Sequence, residues 1–181
     1  LTPVSRGFVR SPAPRLASPH LHMPARRTFR VGLVSDTHNL VRPELLHFLA
    51  GCDAIVHAGD ICDRSVLDVL AAIAPLTAVR GNNDYGAWAE ALPVQTTLEV
   101  GGVKIAIVHE LRDLTGDPAV GDIAVVVSGH SHKPSLETRD GVLYVNPGSA
   151  GPRRFRLPVA AAMLTIGKSG ELSVEHSRLV G

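Results

Sequence analysis

From Phe29 onward the chain alternates short aliphatic runs with amphipathic stretches, and each run stops at a polar cluster. Val31-Gly32-Leu33-Val34 ends in Ser35-Asp36, the pattern of a buried strand whose carboxyl end carries polar groups. Pro43 to Leu49 predicts a helix with proline in its first turn. Ala54 to His57 predicts a second strand, stopping at Gly59-Asp60. Over residues 64–73, Val66, Leu67, Leu70 and Ile73 fall at helical spacing, and Pro75 follows. Leu76 to Val79 predicts a third strand, stopping at Gly81-Asn82. This β-α-β-α-β order implies parallel strands joined by right-handed crossovers.

The second half changes character. Thr96–Val100, Lys104–Val108, Ile123–Ser128, Ser135–Thr138 and Val142–Val145 predict short strands with little helix between them. Gly101-Gly102 signals a hairpin between the first two. Two further strands are predicted at Ala160–Ile166 and Leu172–Ser177, joined by a turn at residues 167–170. A parallel half followed by an antiparallel half predicts two sheets face to face with helices outside. No internal repeat is present.

Composition narrows the class. The 181 residues are 45% apolar and 19% charged, enough for a sizeable core and incompatible with a wholly disordered chain. Only 4% are aromatic, so aliphatic side chains must fill that core. No apolar run approaches the roughly 18 residues of a membrane span. Cys52 and Cys62 form neither a zinc-type nor a C-x-x-C pattern. They read as free thiols in a reducing compartment, and the expected location is cytoplasmic.

The net charge of +1 conceals an asymmetry. Residues 1–35 hold six arginines and no acid, leaving 12 basic and 17 acidic residues over 36–181, a net of −5. A mildly acidic body argues against a nucleic-acid groove as the main surface. Residues 1–28 contain five of the 13 prolines, so an irregular leader is expected there, with the domain over 29–181. The leader fits a non-conforming tail upstream of a start at Met23, an organellar transit segment, or a nucleic-acid-binding arm. It lacks the apolar stretch of a secretory signal.

The candidate chemistry sits at the strand ends. In order they deliver Asp36 and His38, then Asp60, Asn82, His109, and finally His130 and His132. Ligands of α/β sheets collect at the carboxyl ends of strands. All seven side chains are oxygen or imidazole donors, and gathering them without a cation leaves negative charge and lone pairs unmatched. Divalent ions satisfy both. On extended chain, residues two apart point to one side, so Asp36/His38 and His130/His132 are expected to chelate one ion or reach two adjacent ones. Gly59, Gly81 and Gly129 each precede a candidate ligand and leave room for a tight approach. Mixed carboxylate, amide and imidazole donors suit Mn, Fe, Zn, Ni or Co, with Mn the first expectation. Seven ligands exceed one tetrahedral ion and suffice for two if a carboxylate bridges them. By contrast, His47 and His57 read as structural histidines, and Asp60 or Asp63 fits a helix N-cap.

Asp36-Thr37-His38, Gly59-Asp60, Gly81-Asn82-Asn83-Asp84, His109 and Gly129-His130-Ser131-His132 together resemble the motif set of calcineurin-like metallophosphoesterases. Within it, the resemblance is to the small, YfcE-like phosphodiesterase branch, whose segment after the histidine pair matches Val145-Asn146-Pro147-Gly148-Ser149. The resemblance implies an α/β fold, a four-layer α/β/β/α sandwich of two mixed sheets with flanking helices. It implies that Asp36, His38 and His132 hold one metal, that Asn82, His109 and His130 hold the other, and that Asp60 bridges. It also implies hydrolysis of a small phosphate ester, most directly a diester, by a hydroxide shared between two metals. Catalysis would rest on Asp60, Asn82 and His130.

Two positions depart from the pattern. Asn83 stands where many relatives have a histidine thought to protonate the leaving group, so no general acid is assigned; Asp84 could orient a ligand from behind. His109-Glu110-Leu111 replaces the usual His-Gly-His and brings a negative charge near the substrate. Asn83, Arg153 and Arg154 are candidate substrate contacts, with Arg156 nearby, since the arginine fork suits phosphate; solvated surface arginines are the competing reading. The expected partner is a small-molecule phosphate ester, without membrane or nucleic acid. Exposed strand edges leave a homo-oligomer open. The alternatives are a non-catalytic protein-binding scaffold like the retromer subunit of this fold, and a nuclease of the superfamily.

Overall fold

Aliphatic alternation builds two sheets that share one core. The computed structural model describes residues 27–180; the leader expected over 1–28 lies outside them except for Arg27 and Thr28. Strands β1 (Phe29–Val34), β2 (Ala54–His57) and β3 (Leu76–Ala78) are connected by helices α1 (Pro43–Leu49) and α2 (Arg64–Ala71). The one-turn helix α3 (Ala87–Glu90), which the sequence pattern missed, follows. Then come β4 (Gln95–Val100), β5 (Val103–Val108), β6 (Ile123–Val127), β7 (Ser135–Arg139), β8 (Val142–Asn146), β9 (Ala160–Ile166) and β10 (Leu172–Arg178).

The first sheet runs β10-β9-β1-β2-β3 and the second β4-β5-β6-β8-β7. Parallel pairing of β1 with β2 and of β2 with β3 agrees with the expected crossovers. The expectation of an antiparallel second half is corrected in two ways. β5, β6 and β8 pair parallel, with antiparallel partners only at the sheet edges. The two C-terminal strands join the first sheet, β9 lying antiparallel beside β1. Residues 109–122 cross between β5 and β6 with no more than a 3-10 turn at Leu111–Asp113, so the expected sign of a parallel crossover, a helix, is missing from the sequence.

Val31, Leu33, Val56, Ile105, Ile107, Val125, Val127 and Leu164 fill the space between the sheets. Each such side chain contributes about 1.5–3 kcal/mol on burial. The outer face of the first sheet is covered by α1 and α2 through Leu45, Leu49, Val66 and Leu70, with Trp88 of α3 beside them. Among the described residues, the outer face of the second carries a smaller cluster, Ala106, Val126 and Val142, under Leu114, Ile123 and Tyr144. Asp63, not Asp60, caps α2 by accepting from the Ser65 amide at 2.8 Å. The carboxyl ends of β1, β2, β3, β5 and β6 meet at one rim.

Candidate metal centre

All seven candidate ligands lie at that rim. Asp36, Asp60, His109 and His132 are buried, whereas Asn82 and His130 are exposed and form its open lip. The side chains fall into two groups. In the first, His38 Nε2 lies 3.3 Å from His132 Nε2, and His132 Nε2 lies 3.3 Å from Asp36 Oδ1. In the second, Asn82 Oδ1 is 3.0 Å from His109 Nε2 and 3.1 Å from His130 Nδ1. Asp60 stands between them, with Oδ2 3.7 Å from His38 Nε2 and Oδ1 3.4 Å from His109 Nε2.

The backbone reaches this arrangement differently from the extended-chain expectation. Asp36, His38, Asp60, His130 and His132 all have positive φ, between 44° and 66°. Left-handed backbone is uncommon outside glycine and collects at functional sites. The second pair is divided: His132 joins Asp36 and His38, while His130 joins Asn82. Two glycines permit the close approach. A Cβ on Gly81 would run into the Asp60 amide nitrogen, and one on Gly129 into Ser35 Oγ.

The donors fit cations. His109 Nδ1–H donates to Ala58 O at 2.7 Å, which leaves the Nε2 lone pair facing the oxygens of Asn82 and Asp60. A ring nitrogen lone pair thus faces two oxygens, an arrangement that a cation would satisfy. In the first group, Asp36 Oδ1 is fully buried without a hydrogen-bond partner, whereas Oδ2 accepts from Ser35 Oγ at 2.6 Å and the His130 amide at 3.1 Å. Burial works to raise the Asp36 pKa, but the adjoining His132 and Ser35 outweigh it and hold the carboxyl below its ordinary value. Burial, and then the charge of Arg154, lowers the His38 pKa and favours a neutral imidazole, the form that binds metal. Asp36, His38, Asp60 and His132 together present one ligand atom each, all within 4.8 Å of one another.

Supporting contacts account for several other motif residues. Asp84 accepts four backbone N–H groups, from Asp60, Ile61, Cys62 and Gly81, at 2.7–3.1 Å, and so ties the loop after β2 to the loop after β3. Asn83 donates to both Asp60 oxygens, from its amide nitrogen at 2.8 Å and Nδ2 at 2.7 Å. Asn146 Nδ2 donates to Gly129 O at 2.6 Å, and Ser149 Oγ to Asp36 O at 2.9 Å, so that segment buttresses two ligand loops. His57 is buried and structural, as expected: Nδ1 accepts from the Gly59 amide and Nε2 donates to Thr37 Oγ1. Burial drives its pKa down to about 4. Cys62 Sγ lies 3.4 Å from His38 Nδ1, a neighbour the sequence did not suggest.

Of the candidate substrate contacts, Arg154 reaches the rim, its Nη2 donating to His38 Nε2 at 3.2 Å. Asn83 is occupied with Asp60, and Arg153 is exposed. The charge of Glu110 is matched by Arg112 at 2.8–2.9 Å, and its Oε2 stands 3.7 Å from His130 Nε2. Glu110 lines two cavities beside the second group, of about 260 and 160 Å³. A larger one of about 510 Å³ lies between α1 and the end of β10, away from the cluster.

Two mixed sheets with carboxylate, amide and imidazole donors at their common rim define an α/β sandwich built around a metal-type site. The chain belongs to the calcineurin-like phosphoesterase superfamily, whose domain model matches residues 29–169. It is 32% identical over 152 residues to a probable metallophosphoesterase of Methanocaldococcus jannaschii, covering 75% of this chain and 74% of that one. Its fold is similar to Entamoeba histolytica Vps29 in a zinc complex, with TM-score 0.64, 21% identity, and 84% and 100% of the two chains covered. It is similar to the same degree to a structure described as a novel archaeal phosphodiesterase, with TM-score 0.64, 21% identity, and 82% and 100% covered. Among the described residues, no helix is long and apolar enough to cross a membrane.

Proposed function

We propose that this protein is a phosphodiesterase that uses two divalent metal ions on a small phosphate ester. The observation that carries the reading is the position of Asp60, one carboxylate oxygen toward each donor group. Asp36, His38 and His132 would hold one ion, Asn82, His109 and His130 the other, with Asp60 shared. Such ions supply an activated water and neutralise charge on phosphoryl oxygens. Manganese suits the mixed donor set, and zinc is the ion in one structural relative.

The chain's own residues do the rest. Ser35 and the His130 amide hold Asp36 Oδ2 and aim Oδ1 into the site. Asn83 orients both Asp60 oxygens. Arg154 is placed to take a phosphoryl oxygen beside His38. Asn83 has no useful acidity, so alcohols that depart without a proton, such as phenols, suit this site best. The free thiols of Cys52 and Cys62 suit a reducing, cytoplasmic setting.

A second reading, a non-catalytic scaffold, draws on the likeness to Vps29. Turnover separates the two. Manganese-dependent hydrolysis of bis-p-nitrophenyl phosphate is expected from the wild type, with a fall of about a hundredfold in Asp60→Asn and His130→Ala. Equal rates for all three proteins refute the phosphodiesterase.

A further inference from the structure

The loop whose Arg154 reaches His38 also presents an aromatic ring to solvent. Phe155 is 93% exposed and has φ 54°, a left-handed conformation that a bulky side chain rarely adopts. The loop is pinned at its start, where the Ala150 and Gly151 amides donate to Ser35 O and Asp36 O at 3.0 and 3.2 Å. A turn from Arg154 O to the Leu157 amide at 3.1 Å holds its tip. Arg153, Arg154 and Arg156 flank the ring, between Pro152 and Pro158.

In the loop after β3, Tyr85 is 73% exposed and directly follows Asn83-Asp84, which hold Asp60 and its loop. Among the described residues Phe155 and Tyr85 are the exposed aromatic side chains; Phe29, Phe48, Trp88 and Tyr144 are all partly buried. In a chain only 4% aromatic, both lie one or two residues from a contact to His38 or Asp60. Exposed aromatics interleaved with arginines provide a stacking surface for bases and a positive setting for phosphate.

We infer that Phe155 and Tyr85 are specificity-determining residues that stack a nucleobase, so that the substrate is a small phosphodiester bearing a nucleoside. The inference rests on the phosphodiesterase reading and adds the substrate class. Water adds across the ester: its oxygen bonds to phosphorus and releases its proton to solvent, the bond from phosphorus to the leaving oxygen breaks, and the leaving group departs as its anion, to be protonated in solvent. The retained product is a nucleoside monophosphate, with its base on the aromatic rim and its phosphate beside Arg154.

Calorimetry on the manganese-loaded protein with adenosine 5′-monophosphate and ribose 5-phosphate tests this without turnover. The wild type is expected to bind the nucleotide about tenfold more tightly, the scale of one base–aromatic stack. Phe155→Ala should remove most of that preference, Tyr85→Ala part of it, and Phe155→Trp should retain it. Equal affinity of the wild type for both ligands overturns the inference, as does a preference that survives both alanine variants. If the wild type hydrolyses bis-p-nitrophenyl phosphate but does not discriminate, only the nucleoside assignment falls. If it neither hydrolyses the diester nor binds either phosphate, the phosphodiesterase reading falls too. A dimer that Phe155→Ala dissolves, with nucleotide affinity unchanged, would make the ring an interface residue and also overturns the inference.

Discussion

Asp84 is the most heavily used carboxylate in the site's scaffold, and replacing it with asparagine isolates that role. Its Oδ1 accepts the Ile61 and Cys62 amides, and its Oδ2 the Asp60 and Gly81 amides. Asparagine is the same size but offers one acceptor oxygen. Two N–H groups therefore keep a partner, while the other two meet an NH₂ that is itself a donor. Hydrogen bonds to a charged group contribute about 1.5–3 kcal/mol each, so losing two costs about 3–6 kcal/mol. At a urea slope of about 2 kcal/mol per molar, the midpoint of metal-free protein should fall by at least about 1.5 M. Urea unfolding followed by circular dichroism measures this directly. A shift under about 0.5 M would show that these four bonds do not carry the strand-end loops.

Other expectations follow from single positions. His57 is depressed to about 4 in the fold from an unperturbed 6.5, so the unfolded chain takes up the proton first as pH falls. Its contribution is complete above about 6.5 and is lost progressively toward 4, by about 3 kcal/mol; His57→Asn should flatten that part of the stability profile of metal-free protein, and an unchanged slope would reject it. Gly129→Ala forces a methyl onto Ser35 Oγ and against Asp36 Oδ2 and should cost at least about 2 kcal/mol in denaturant unfolding, whereas a neutral effect would mean the loop is free to move. Arg154→Ala should raise KM for a phosphodiester more than it lowers kcat, with smaller effects in Arg153→Ala and Arg156→Ala; steady-state kinetics with KM unchanged in all three removes arginine from substrate binding.

Much of the site was legible because strand ends are marked twice in the sequence, by the end of an aliphatic run and by the polar residue after it. That logic located Asp36, Asp60, Asn82, His109 and the 130–132 pair without any knowledge of pairing. What it could not reach depends on long-range partners. Nothing local in β9 or β10 reveals that they close the first sheet beside β1. The i, i+2 spacing alone does not encode the division of His130 from His132, which depends on the different partners each meets in the fold, Asn82 for one and His38 with Asp36 for the other. Asn83 reads as a candidate substrate contact, and only the fold reveals that its amide donates to Asp60. Glu110 reads as a negative charge near the substrate, and only the fold reveals that the 3-10 turn brings Arg112 back onto it.

In the proposed centre one carboxylate, Asp60, is shared by two cation sites. Crystals grown with manganese and measured at its absorption edge test it most directly. Two anomalous peaks are expected, one toward His38 and His132, the other toward Asn82 and His109, each within reach of an Asp60 oxygen. A single peak, or none at this rim, would contradict it.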